Sequence, residues 1–305
     1  MSTTPLTPAA EIPIPYALKS GISIDPAAVE QPHHDTFLMC PPRHYDVHYV
    51  INPWMVGNVH ASSRELAAAQ WQRLHEVVSQ IANVVLVEPQ PGSPDMVFTA
   101  NAGLERDGIV VLSSFFHPER QAEESHFRRW FQTAGYTVHT VTRETPFEGE
   151  GDALFAFDGS RLWAANGPRS VLASHHHLAA AWNVEVTALD LIDPRFYHLD
   201  TCFAPLSDGS AMYYPGAFSQ RSIQQIESIY PPEKRILVTE EDAIRFACNV
   251  VNVGRTLILN QISAALSNTL ASRGFQVIPL DLSEFLKAGG AAKCLVMKLS
   301  RTQAT

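Results

Sequence analysis

The chain has 305 residues, a formal charge of −9, 46% hydrophobic residues and 17% charged ones. Such a chain can bury a sizeable core, which excludes disordered and collagen-like classes, and its acidity argues against nucleic acid as a partner, since phosphate binding needs clustered Lys and Arg. No apolar run approaches the ~18 residues of a membrane span, and Cys40, Cys202, Cys248 and Cys294 are too scattered for a disulfide scaffold or a structural zinc site.

Residues 1–35 hold six prolines and no arginine. Proline removes a backbone donor and blocks helix, so an extended or poorly ordered N-terminal arm is expected there. The stretch shows neither the basic nor the apolar region of a secretory signal, and a cytoplasmic protein is the expectation. From Thr36 onward short apolar runs alternate with amphipathic ones. The spacing predicts a helix over 62–83, with Ser62 and Glu65 as a capping box and Ala67, Trp71, Leu74, Val78 and Ile81 on its buried face. Strands follow over 84–88, 96–104 and 108–114, then a helix over 118–133 and a strand over 136–141. Paired strands over 147–157 and 161–167 precede a helix over 169–182 and a strand over 184–189. The order recurs with strands over 197–206 and 211–217, a helix over 220–229 and a strand over 234–239. It recurs again with strands over 248–254 and 256–260, a helix over 261–273 and a strand over 275–281. A last strand, 291–300, can pair with the first, 36–42.

About five ββαβ units result, spaced by roughly 50 residues, a period typical of propellers. Their sequences differ, so the repeat is one of pattern. The expected fold class is α/β, a closed ring of small sheets with helices outside. Polar residues interrupting the first strand of each unit would converge on the central axis. They are Asp95, Asn101, Glu148, Asp152, His198, Asp200, Asn249, Asn252 and Cys294. Buried carboxylates need a cation or hydrogen bonds, and a planar guanidinium with its fork of donors fits several of them.

Cys294 follows Gly289 and Gly290, which permit close approach of the backbone to a ligand. A buried structural cysteine is the commoner fate of this residue type. The distant His198-x-Asp200 pair offers an acid/base partner, with both side chains on one strand face. Cys202 shares that face without a glycine approach, and Cys40 and Cys248 read as core.

The strings FLMCPPRHYDVHYVINPWM, PDMVFTANAGL, FEGEGDALF, FYHLDTCFAPL and LKAGGAAKCLVMKL, in this order, resemble the guanidino-group-modifying enzymes. The resemblance covers 36 to about 300 and implies a five-bladed α/β propeller, the pentein fold, so 36–305 is expected to be one catalytic domain of this kind. Within the superfamily the chain is similar to arginine dihydrolases, which convert L-arginine to L-ornithine, carbon dioxide and two ammonia. Arginine deiminases carry an aspartate in a Phe-Thr-Arg-Asp string where Asn101 stands here, and they stop at citrulline.

The resemblance implies Cys294 as nucleophile, His198 as general acid/base, and Glu148 and Asp200 as carboxylates that clamp the guanidinium. It implies Phe98 as a pocket wall and Arg120 and Arg169 as ligands for the substrate carboxylate. Asp95 and the Gly290 carbonyl would face the α-amino group. Asn52 and Asn101, each both donor and acceptor, would hold a neutral ureido group for a second round of hydrolysis. Asp152 reads equally as catalytic or structural. Glu150 departs from the small residue found in many relatives, and adds a carboxylate that either enters the pocket or points away. No metal and no cofactor are implied. A small-molecule substrate and a homo-oligomer are expected.

The alternatives are an arginine deiminase, a hydrolase of a modified arginine, a metal-dependent guanidino hydrolase, and an arginine-binding module without turnover. The third would draw on His44, Asp46 and His48 or on His175, His176 and His177. DVHYV lacks the second aspartate of a dinuclear site, and consecutive helical histidines face different directions, so solvated histidines are the expected reading.

Overall fold

The computed structural model describes residues 35–300, so the N-terminal arm expected over 1–35 lies almost wholly outside the described residues. The chain winds through five three-stranded sheets. β1 (Thr36–Met39) and β2 (Asn83–Leu86) are parallel neighbours joined through α1 (Arg64–Ser79). β3 (Gly103–Arg106) pairs antiparallel with β4 (Ile109–Leu112), which crosses through α2 (Gln121–Thr133) to parallel β5 (Thr137–Thr140). The pattern repeats with β6 (Ala153–Phe155), β7 (Arg161–Asn166), α3 (His175–Trp182) and β8 (Glu185–Asp190). It repeats with β9 (Phe203–Pro205), β10 (Ala211–Tyr213), α4 (Gln220–Ile229) and β11 (Arg235–Leu237), followed by a short α5 (Glu240–Ala243). β12 (Val251–Val253), β13 (Thr256–Asn260), α6 (Ala264–Ser272) and β14 (Gln276–Leu280) form the fifth sheet, and α7 (Ser283–Leu286) follows. β15 (Met297–Leu299) then returns to pair antiparallel with β1, Thr36 opposite Leu299 and Leu38 opposite Met297. The last strand thereby completes the sheet that the first one opens, and the ring closes as a five-bladed pentein propeller.

Each helix covers its blade with one apolar face. α2 buries Phe127 and Phe131 in a cluster with Val110, Leu112 and Leu38. α1 buries Ala67, Trp71, Leu74 and Val78, the face its spacing predicted. Its N-cap is Ser63, whose hydroxyl accepts from the Leu66 amide, and not Ser62. The Ser63 N–H goes to Glu284 on α7 at 2.8 Å, so a carboxylate from a distant helix does what a capping-box glutamate would do locally.

One systematic difference bears on function. The strands expected over 96–104, 147–157 and 197–206 begin later than their apolar pattern suggests. Each is preceded by tight 3₁₀ turns: Pro94–Val97 and Thr99–Ala102, then Gly149–Gly151, then Leu199–Thr201. Their buried apolar residues resemble strand, while the backbone closes turns such as Cys202 N–H to Leu199 C=O at 3.1 Å. His198 and Asp200 therefore sit on a turn and not on one strand face, and Cys294 lies just ahead of β15 and not within it.

Candidate active site

These turns gather at one end of the ring. The turn Thr99–Ala102 presents Asn101, the turn Gly149–Gly151 follows Glu148, the turn Leu199–Thr201 follows His198, and Cys294 precedes the closing strand. Two glycines make the approach possible. A Cβ on Gly151 would lie 2.2 Å from Asn101 Nδ2, and one on Gly290 would lie 2.6 Å from the Phe98 ring.

The thiol side of the site holds Cys294, Asp200 and Asn249. Cys294 Sγ lies 3.5 Å from Asp200 Oδ2 and receives the Asn249 Nδ2–H at 3.1 Å. The Asn249 carboxamide oxygen accepts the Cys294 amide at 3.0 Å, so one side chain fixes both sulfur and backbone. Burial, and then the neighbouring Asp200, pushes the Cys294 thiol well above its usual range. Burial also raises Asp200 to about 7, against the lowering pull of Lys293.

The imidazole side is an ion network. His198 Nε2 lies 2.7 Å from Glu148 Oε2, which also takes Arg169 Nη1 at 2.9 Å. Glu148 Oε1 accepts the Phe116 amide at 3.2 Å. Burial opposes the charge on Glu148, but Arg169 and His198 hold it well below the usual carboxylate range. Burial lowers His198 to about 4 despite the bond to Glu148. An ionised carboxylate can only accept, so neutral His198 carries its proton on Nε2 and leaves Nδ1 as the basic nitrogen. Asp152 stands behind them. Its Oδ2 receives the Ser170 hydroxyl at 2.5 Å, its Oδ1 receives the Leu199 amide at 3.3 Å, and burial and then Glu148 raise its carboxyl far above the usual range. Its Oδ2 also lies 4.0 Å from His198 Nε2.

A narrow cleft reaches Cys294 between Ile51, Asn52, Asp95, Phe98, Asn101, Arg120, Arg169 and Tyr197. Both arginines are buried, at 3% and 2% exposure, so neither is a surface helix-start residue. Arg120 forms a fork with Glu123 at 2.9 and 2.8 Å and donates to Asn101 Oδ1 at 2.9 Å. Arg169 also donates to the Ile51 carbonyl at 2.9 Å and lies over the Tyr197 ring. Asn101 is engaged at both ends, since its Nδ2 donates to the Glu148 carbonyl at 3.0 Å. Asn52 likewise donates to the Ala288 carbonyl and accepts from the Trp54 and Met55 amides. Asp95 receives the Tyr49 hydroxyl on Oδ2, while its Oδ1 is buried without a hydrogen-bond partner. The free volume of the cleft is about 10 Å³, the space of a single water and less than an amino acid occupies.

Other expectations resolve outside the cleft. Glu150 points away, taking Lys293 Nζ at 2.6 Å and the Lys298 amide at 2.9 Å. Asn252 bridges blades by accepting the Ser207 amide. Cys202 contacts the carbonyls of His198 and Leu199, as a space-filling thiol does. His175 is buried and not solvated, bonded to the Ala165 carbonyl at 2.8 Å. Asn249, expected from its place in the fifth unit to reach the axis but given no role there, does so, while Tyr197 and Ser170 leave no signal in the sequence.

Sulfur, imidazole and buried acids at the axis of a five-bladed ring are the equipment of guanidino-group-modifying chemistry, and they set the class. Residues 54–301 match a family described as "N,N dimethylarginine dimethylhydrolase, eukaryotic". The bifunctional arginine dihydrolase/ornithine cyclodeaminase AgrE of Nostoc sp. is 56% identical over 87% of this chain and 38% of its own length. The N(G),N(G)-dimethylarginine dimethylaminohydrolase of Mycobacterium tuberculosis is 37% identical over 88% of this chain and 87% of its own. The crystal structure of the product-bound N-terminal domain of ArgZ, an arginine dihydrolase of cyanobacteria, superimposes with a TM-score of 0.86, at 56% identity over 87% of this chain and 97% of that one. A cysteine-to-serine variant of that domain, bound to substrate, gives the same score. The chain belongs to the dimethylarginine dimethylaminohydrolase family of guanidino-group-modifying enzymes. It spans a little over a third of the length of the bifunctional relatives. Among the described residues no helix is long and apolar enough to cross a membrane.

Proposed function

We propose that this protein hydrolyses L-arginine, with two waters, to L-ornithine, carbon dioxide and two ammonia. The observation that carries the proposal is the cleft that ends on Cys294, with Asp200 at 3.5 Å from the sulfur and two buried arginines in its walls. Asp200 and Glu148 hold the guanidinium, and Arg120 and Arg169 take the substrate carboxylate. Asp95 Oδ1, which lacks a partner, takes the α-amino group. The bound cation offsets the charge of Asp200, and the Cys294 thiol falls toward deprotonation.

The thiol gives up its proton as the thiolate forms a C–S bond to the guanidinium carbon; His198 relays that proton to the nitrogen, the C–N bond breaks and ammonia departs. Water, deprotonated by His198, attacks the resulting thiouronium carbon, the C–S bond breaks, and citrulline stays in the cleft. A second attack expels the second ammonia and leaves an S-thiocarbamate. A second water releases the carbamate of ornithine, which loses carbon dioxide. Asn101 favours the second round because its amide keeps one N–H and one lone pair beyond the bonds to Glu148 and Arg120, and these can bond a neutral ureido group as well as a cation.

The second reading is hydrolysis of a dimethylated arginine, favoured by the family match over 54–301. Incubation with each amino acid, with ornithine, citrulline, ammonia and dimethylamine quantified together, tests both. Two ammonia per ornithine from arginine is expected. Citrulline as sole end product, or turnover confined to the methylated substrate, would overturn the dihydrolase assignment.

A further inference from the structure

Among the described residues, one group of His and carboxylate side chains converges closely enough to share a metal ion, and it is not at the cleft floor. Asp46, His48 and His60 each offer one ligand atom, all within 4.8 Å of one another. His60 Nδ1 lies 2.8 Å and His48 Nε2 3.4 Å from the same oxygen, Asp46 Oδ2. Tetrahedral zinc ligands at 2.0–2.2 Å from the ion stand roughly 3.3 Å apart. The His48–Asp46 separation already matches, and the His60–Asp46 one opens slightly when an ion replaces the shared proton.

The local fold builds this arrangement. The Asp46 side chain is 13% exposed, and the Val47 amide holds its Oδ1 at 2.9 Å, which orients the carboxylate and leaves Oδ2 to the two imidazoles. His60 comes from the far end of a loop, which closes through the His60 N–H to the Val47 carbonyl at 2.9 Å. Its φ of +56° places it in the left-handed region, where a non-glycine residue is uncommon, and turns its ring toward Asp46. The two imidazole centroids are 5.2 Å apart at 55°, so the rings do not stack on each other.

The donor set selects the ion. Two imidazoles and one carboxylate suit zinc, copper or nickel; calcium and magnesium prefer all-oxygen sets. The side chains of His48 and His60, 44% and 67% exposed, leave an open face for water as the fourth ligand.

The loop closed by these residues is also a wall of the cleft. Between Val47 and His60 it carries the Ile51 carbonyl that receives Arg169, and Asn52 and Met55, which line the approach to Cys294. It also carries Tyr49, which bonds Asp95. We propose that Asp46, His48 and His60 bind one zinc-type divalent ion that pins the base of this loop and so restrains the opening of the cleft. The proposal holds whether the cleft takes arginine or a methylated arginine.

The test uses the untagged full chain carrying Cys294→Ser, which removes the active-site thiol as a competing ligand. Zinc is titrated against a chromophoric chelator, and amide hydrogen exchange is followed over residues 46–60. One equivalent of zinc and slowed exchange in that segment are expected. Adding His60→Gly, which keeps the left-handed backbone and deletes the ligand, should weaken binding about ten-fold or more. Asp46→Asn should do the same, and both should abolish the zinc-dependent slowing of exchange. Unchanged affinity in both variants, or no binding in the parent, would overturn the proposal.

Discussion

The two sides of the site are prepared differently. On the imidazole side every acid already has partners: Glu148 holds Arg169 and His198, and Asp152 is bonded to Ser170 and Leu199. On the thiol side Asp200 lies against Cys294 with only asparagine and a lysine charge to balance it, and both groups are pushed upward by burial. The first side is internally paired. The second is an electrostatic deficit that a guanidinium would fill, and under the proposed function the cation of the substrate would itself lower the thiol.

The comparison can be broken in five ways. The largest effect is expected for Cys294→Ser, which should cut turnover by about 10⁴-fold or more while arginine still binds in calorimetry. Retained turnover would remove the thiol side from the chemistry altogether. Next is Glu148→Gln, which leaves buried Arg169 without its counter-ion and should cost about 3–5 kcal/mol in denaturant unfolding. Asn249→Ala, on the thiol side, removes hydrogen bonds but strands no permanent charge, and should cost only about 1–3 kcal/mol. If the two costs were equal, the asymmetry would be false.

Asn101→Asp is expected to shift product from ornithine toward citrulline by about ten-fold, since a lost amide bond to a neutral ligand is worth roughly 1–3 kcal/mol. An unchanged ornithine yield would remove the asparagine from the second round. The smallest effect concerns pH. Asp200 must be ionised to receive the cation, and burial raises it to about 7 in the free protein. Below that value kcat/KM should fall by about ten-fold per pH unit, with His198 still neutral because burial holds it near 4. A flat profile through neutrality would show that Asp200 is not the titrating group.

Much of the fold was legible because hydrophobic spacing reports burial. The helix expected over 220–229 is α4, Gln220–Ile229, and the pairing of the last strand with the first followed from their apolar runs. The same signal misled where burial and extended backbone part company. Val97, Phe98 and Ala100 are all buried, yet they belong to tight turns, and an apolar run cannot report ψ. The candidate residues were legible as polar interruptions of buried runs, and Cys294, Asn101, Arg120, Arg169, Asp95, Asn52 and Phe98 do converge on one cleft. Their present partners were not legible. Nothing in the sequence says that the two ends of the Asn101 amide are held by Arg120 and the Glu148 carbonyl, residues remote in the chain. Nor does it say that Glu150 reaches across to Lys293.

The pairing of β15 with β1 has a consequence for biosynthesis. Cys294 is the last of the site residues to leave the ribosome, and the strand just behind it is the one that seals the ring. A nascent chain that has made every other part of the cleft has neither a reactive sulfur nor a closed propeller. The sulfur of the cleft and the strand that seals the ring therefore arrive together.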